Sequence, residues 1–171
     1  MSDLRPRLQA LFGFADFRPG QEEVVRAAVD GRDTLALMPT GSGKSLTYQL
    51  AAMLRPEPTL VLSPLIALMK DQVDKLPAEI AATTTFVNSS LDQKETAARL
   101  GRLASGETRL LYAAPERLRN ERFVETLRAI GVGLVVIDEV HCVSMWGHDF
   151  RPDYLFIRRA LEELTTRAYS G

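Results

Sequence analysis

The sequence predicts an α/β fold, a parallel sheet flanked by helices, on three observations. Short apolar runs of strand length, such as Thr59 to Leu62 and Leu134 to Ile137, alternate with segments of helical periodicity. A Gly-rich turn, MPTGSGKS at Met38 to Ser45, links an apolar run to an apolar-periodic helix. Two acids, Asp138 and Glu139, directly follow the clearest apolar run, where a parallel sheet gathers its ligands at the carboxyl ends of its strands. With 171 residues, 46% hydrophobic and 25% charged, the chain suits one globular domain burying about two-thirds of its unfolded surface. A net charge of −1 announces no polyanion partner, so any nucleic-acid contact must be local. The single cysteine, Cys142, excludes an internal disulfide, and the longest apolar stretches, such as Gly131 to Ile137, are far too short to span a bilayer. The expectation is a soluble intracellular protein with no membrane partner.

In chain order, Leu4 to Phe12 carries Leu4, Leu8 and Leu11 at helical spacing and stops at Gly13. Pro19 is expected to start a second helix, with Val24, Val25, Ala28 and Val29 inward, that ends at Asp30 and Gly31. A strand from Thr34 then feeds the Gly-rich turn, and a helix follows from about Lys44. Thr59 to Leu62 is a buried strand, and Ser63-Pro64 turns into a helix over Leu65 to Leu76. Ala82 to Val87 is a third strand ending at Asn88-Ser89-Ser90, followed by an amphipathic helix over Leu91 to Ser105 with Asp92 in its first turn. Arg109 to Ala113 is a strand, and Asn120 is placed to cap the helix carrying Phe123, Leu127 and Ile130. Leu134 to Ile137 is the last strand, and a helix over Tyr154 to Leu164 completes the pattern.

The Gly-rich turn has the spacing of a phosphate loop except at Met38, where the strict pattern has glycine. Thr40, Gly41, Ser42 and Gly43 supply backbone N–H groups to phosphate oxygens, and the following helix adds the positive end of its dipole. Lys44 is placed to reach the outer phosphates of ATP, and Ser45 to offer its hydroxyl to Mg²⁺. Upstream, Phe14 is a ring that can stack on a base, and the Gln21 amide can pair with the edge of adenine near Arg18. Asp138 is placed to hold the metal and Glu139 to activate the attacking water. The two motifs together predict a nucleotide hydrolase. Beyond them, Cys142 to Tyr154 crowds aromatics into a Pro/Gly-punctuated loop. There Trp146 and Phe150 can stack on unpaired bases, at about 1–3 kcal/mol per base, with Arg151 on phosphate or a base plane.

From about Leu11 to Tyr154 the chain resembles the first motor domain of the RecQ family of superfamily-two DNA helicases. The segments that carry the resemblance are FGFADFRPGQ, MPTGSGKS, LSPLIALMKDQV, YAAPERL and DEVHCVSMWGHDFRPDY, in family order. It implies a RecA-like phosphate-loop domain that binds ATP and Mg²⁺ and moves three-prime to five-prime along single-stranded and partly duplex DNA, in repair and recombination. It implies adenine contacts for Phe14, Arg18 and Gln21, and catalytic roles for Lys44, Asp138 and Glu139. Trp146, Phe150 and Arg151 would sense the strand, whose path Ser63, Lys70, Asn88 and Ser89 would line. Location follows as cytoplasmic and nucleoid-associated in a bacterium, nuclear in a eukaryote. Motifs of the DEAD-box RNA helicases differ at LSPLIALMKDQ, at APER and in the aromatic loop.

Val140 stands where the family usually has alanine, and the chain reaches Gly171 without the next motif or the second motor domain that supplies arginines to the ATP site. The expectation is therefore one domain over residues 1–171, incomplete at its carboxyl end. It would lack the strand that lies between the phosphate-loop strand and the acidic-box strand, and would be marginal in stability alone. A competing expectation is a nucleotide- and DNA-binding module with little ATPase or helicase activity by itself.

Overall fold

The computed structural model describes residues 2–39, 41–63, 66–138 and 151–165. Helices α1 (Arg5–Phe12), α2 (Gln21–Val29) and α3 (Lys44–Leu54) precede strand β1 (Thr59–Leu62). Then come α4 (Ile66–Asp74), α5 (Ala78–Ala82), β2 (Thr84–Val87), α6 (Gln93–Ser105) and β3 (Leu110–Ala113). A 3-10 helix (Pro115–Arg119), α7 (Glu121–Ile130), β4 (Leu134–Ile137) and α8 (Arg151–Thr165) complete the described chain. The four strands form one sheet in the order β2-β3-β1-β4, and every pairing is parallel. Parallel neighbours need crossovers, and the helices between strands supply them.

Strand alternation sends successive side chains to opposite faces, and both faces are covered. Leu60 and Leu62 point into a core with Leu111, Leu100 and Leu103 of α6, Val124 and Leu127 of α7, and Ala160 and Leu164 of α8. Val61 points the other way, into a core with Leu110 and Tyr112 of β3, Tyr48 and Ala52 of α3, and Met69 of α4. A third cluster, Leu4, Leu8, Val25 and Leu50, seats α1 and α2 on α3. The helix ends are set locally. Asp92 accepts from the Glu95 N–H at 2.7 Å, so it caps α6 from outside the first turn expected for it. Asn120 caps α7 as expected, accepting from the Phe123 N–H at 3.2 Å.

Four expectations need correction. Helix α2 starts at Gln21, not Pro19, because Gly20 takes φ 84° and breaks the helical path just before it. The segment expected as a strand from Ala82 is shorter, since α5 takes Ala78–Ala82 and the ladder begins at Thr84. The 3-10 helix at Pro115–Arg119 was not expected at all. The largest difference is the segment from Thr34, which carries no ladder and leaves Leu35 and Leu37 75% and 87% exposed. Among the described residues β4 pairs with β1 alone, and a cleft of about 470 Å³ separates β4 from residues 34–38. The segment is apolar yet carries no ladder, and apolar content alone does not make a strand.

Candidate functional site

Helix α3 opens directly out of the Gly-rich turn. Gly43 holds φ 81° as its N-cap, Gly41 holds φ 80°, and no side chain caps the helix start. Three side-chain bonds tie this loop to the segment before α2. Arg18 Nη1 donates to the Gly41 carbonyl at 2.8 Å, and Gln21 Nε2 donates to the carbonyls of Ser42 and Gly43 at 3.1 and 3.2 Å. Gln21 is 3% exposed, and its Oε1 accepts from the Arg18 N–H at 2.8 Å. The amide expected to read adenine therefore grips the loop in this structure. Phe14, in contrast, is 52% exposed, with its ring available as a platform.

These residues open onto a cleft of about 730 Å³ whose first wall includes Phe14, Arg18, Gln21, Lys44, Ser45 and Gln49. Gln72, Lys75, Leu76 and Pro77, at the end of α4 and just beyond, form a second wall that sequence reasoning missed. On the other side of the loop, the 470 Å³ cleft is lined by Lys44, Thr47 and Tyr48 of α3, Met38 and Asp138. Lys44 lines both clefts, so one residue is shared by the base side and the carboxylate side. Asp138 is fixed at the carboxyl end of β4, where its N–H extends the ladder to the Leu62 carbonyl at 2.9 Å.

The residues present fit a polyphosphate. The buried Ser42 hydroxyl in the loop has no partner, α3 presents an uncapped N-terminus, and a Cβ on Gly43 would lie 2.6 Å from Gln21 Nε2. They also fit a hard divalent cation, since the Ser45 hydroxyl and the Asp138 carboxylate both act on the phenol of Tyr48.

Two buried tyrosines back this centre. Tyr48 donates to Asp138 Oδ2 at 3.1 Å, and its ring meets Tyr112 edge-on with centroids 6.4 Å apart. Gln49 Nε2 donates to Tyr112 Oη at 3.2 Å. Burial raises the Tyr112 phenol above its ordinary value, and the bonds to Gln49 and Tyr48 only partly oppose it. In the unfolded chain that phenol ionises near pH 10, whereas in the folded chain it keeps its proton there. The folded state thus holds more protons above about pH 10, and stability present below that pH is lost as pH rises. Thermal melts between about pH 8 and 11 should show a falling Tm, with a shallower fall in Tyr112→Phe.

Three of the four residues expected on the DNA path, Ser63, Asn88 and Ser89, follow the carboxyl ends of strands. Ser63 and Asn88, both 3% exposed, follow β1 and β2, and Ser89 is exposed beside them. Asn88 Oδ1 accepts from the Ser90 N–H at 2.9 Å, and its carbonyl accepts from Arg117 of the 3-10 helix. Arg117, Arg119 and Asn120 line a depression with Ser89; Arg117 falls within YAAPERL, Arg119 lies just beyond it, and sequence reasoning gave neither a role. Lys70 is exposed on α4. Thr40, Glu139, Trp146 and Phe150 lie outside the described residues, and Arg151 is placed only as the first residue of α8.

Residues 18–170 match the family of DEAD/DEAH box helicases. The chain belongs to that family. Its curated relatives include ATP-dependent DNA helicase RecQ of Haemophilus influenzae, 47% identical over 86% of this chain, and RecQ of Bacillus subtilis, 46% identical over 90%. A probable ATP-dependent DNA helicase RecS of Bacillus subtilis is 41% identical over 90%. These likenesses support a RecQ-type motor domain, with the helicase and ATPase activity that those names give to the longer proteins. The chain spans 24%, 26% and 31% of the three relatives, so this helicase domain corresponds to about a quarter of such a protein. No helix among the described residues is long and apolar enough to cross a membrane.

Proposed function

We propose that the chain is the ATP-binding and hydrolysing motor domain of a RecQ-like DNA helicase, acting with a second RecA-like domain to translocate three-prime to five-prime on single-stranded DNA and unwind duplex. The observation that carries this reading is Lys44, which lines both the cleft holding Phe14, Arg18 and Gln21 and the cleft holding Asp138. Phe14 stacks on the base, while Arg18 and Gln21 hold the loop against it. The N–H groups from Gly41 to Ser45 and the Lys44 ammonium bind the phosphates, and Glu139 takes a proton from the attacking water. A magnesium ion, held by Ser45 and Asp138, would neutralise phosphate charge and polarise the terminal phosphoryl group. Ser63, Lys70, Asn88 and Ser89 contact the DNA strand, and Trp146, Phe150 and Arg151 report its arrival. The protein would work in the bacterial cytoplasm at the nucleoid, or in a eukaryotic nucleus.

A second reading is favoured by β4 pairing with β1 alone among the described residues and by the unladdered residues 34–38: by itself the chain binds nucleotide and DNA but turns over little. ATP turnover by the 171-residue chain, with and without single-stranded DNA and beside Lys44→Ala, separates the two. DNA-stimulated turnover that needs Lys44 supports the motor reading. Binding without turnover supports the second, and turnover untouched by Lys44→Ala would remove both.

A further inference from the structure

Tyr48 lies one helical turn beyond Ser45 on α3, so the two share a helix face. Its ring is buried, at 7% exposure, and wedged against Tyr112, which is fully buried on β3. Its hydroxyl donates to Asp138 Oδ2 at 3.1 Å. Gln49 Nε2 donates to the Tyr112 hydroxyl at 3.2 Å, and the Tyr112 ring packs edge-on against Tyr48, so the ring that carries the bond to Asp138 is backed by a partner that is itself held in place.

We propose that Tyr48 is a positioning residue for the divalent-cation site, held rigid by Tyr112 and Gln49, and that from beside Ser45 it fixes the rotation of the Asp138 carboxylate. The inference rests on the nucleotide-hydrolase reading and adds a residue to it. A carboxylate after a strand end has its backbone fixed by the ladder, but its two side-chain torsions are not. A bond from an immobile donor restrains them, as partners behind metal-ligating carboxylates do elsewhere. A buried phenol also cannot go unpartnered without loss, so the bond is maintained from both ends.

The test is binding of a fluorescent ADP analogue by the full 171-residue chain, titrated with Mg²⁺ and repeated in chelator. In Tyr48→Phe the ring packing stays and the hydroxyl goes. Affinity in chelator and melting temperature should hold, while the Mg²⁺ concentration giving half the metal-dependent gain rises about tenfold. Asp138→Asn should raise it as much, and the double variant no further, because Tyr48 acts through Asp138. An unchanged Mg²⁺ midpoint in Tyr48→Phe, or additive effects in the double variant, would overturn the proposal. Should Tyr48→Phe fail to melt cooperatively, Tyr112→Phe decides, because it removes the anchor from Gln49: a raised midpoint at unchanged chelator affinity supports the positioning role, and an unchanged one overturns it. Failure of the underlying reading looks different, since the wild type would then show no metal-dependent gain or Lys44→Ala would bind as well as wild type.

Discussion

Gly43→Ala is expected to lose nucleotide binding by about a hundredfold while the fold remains, because two independent penalties fall on one residue. At φ 81° an L side chain costs about 1–2 kcal/mol over glycine. The new Cβ would also sit 2.6 Å from Gln21 Nε2, so the amide must leave the Ser42 and Gly43 carbonyls. At 3% exposure Gln21 has no water to turn to, and a buried unsatisfied amide costs about 1–3 kcal/mol. The total, roughly 2–5 kcal/mol, acts on the loop conformation and corresponds to one and a half to three and a half decades in affinity. Titration of a fluorescent nucleotide analogue, beside a far-UV spectrum, checks it. Retention of affinity within about threefold would show that phosphate binding does not need this loop conformation.

Leu60→Ala is expected to cost about 2–5 kcal/mol of stability. Leu60 is fully buried on β1, the strand that pairs on both sides, and it packs in the core that also holds Leu111, Val124 and Leu127. Leu60 shares one cluster with residues of α6, α7 and α8, so closing the space left would require several packed elements to shift together. Against a total of about 5–15 kcal/mol, that is a large fraction. At roughly 2–4 °C per kcal/mol, melting by circular dichroism should show a drop on the order of 10 °C. A drop under about 2 °C would mean that the core repacks around the gap.

Strands β1 and β4 were legible to the residue because each is a short run of apolar, mostly β-branched or leucine residues bounded by turn formers. The cap at Asn120 was legible for a similarly local reason, a side-chain amide just before an apolar-periodic run. Residues 34–38 have the same apolar character as β1 yet carry no ladder, and whether such a run is paired is something no local pattern reports. The loop residues Gly41 to Ser45 and Asp138 were readable as a motif. Tyr48 and Tyr112 were not, because on a mostly buried helix and strand they read as core, and only the fold brings their hydroxyls to Asp138 and Gln49. Gln21 was read as a base contact from its amide alone, and its present partners lie 21 and 22 residues away.

The straps from Arg18 and Gln21 to the loop carbonyls have a dynamic consequence. A loop preceded by an unladdered segment draws its rigidity from those straps and from α3, so the first turn of α2 and the loop should open as one cooperative unit. Amide exchange at residues 21–25 and 41–46 would then share a single opening free energy, and a nucleotide that protects one stretch would slow exchange in the other without touching it.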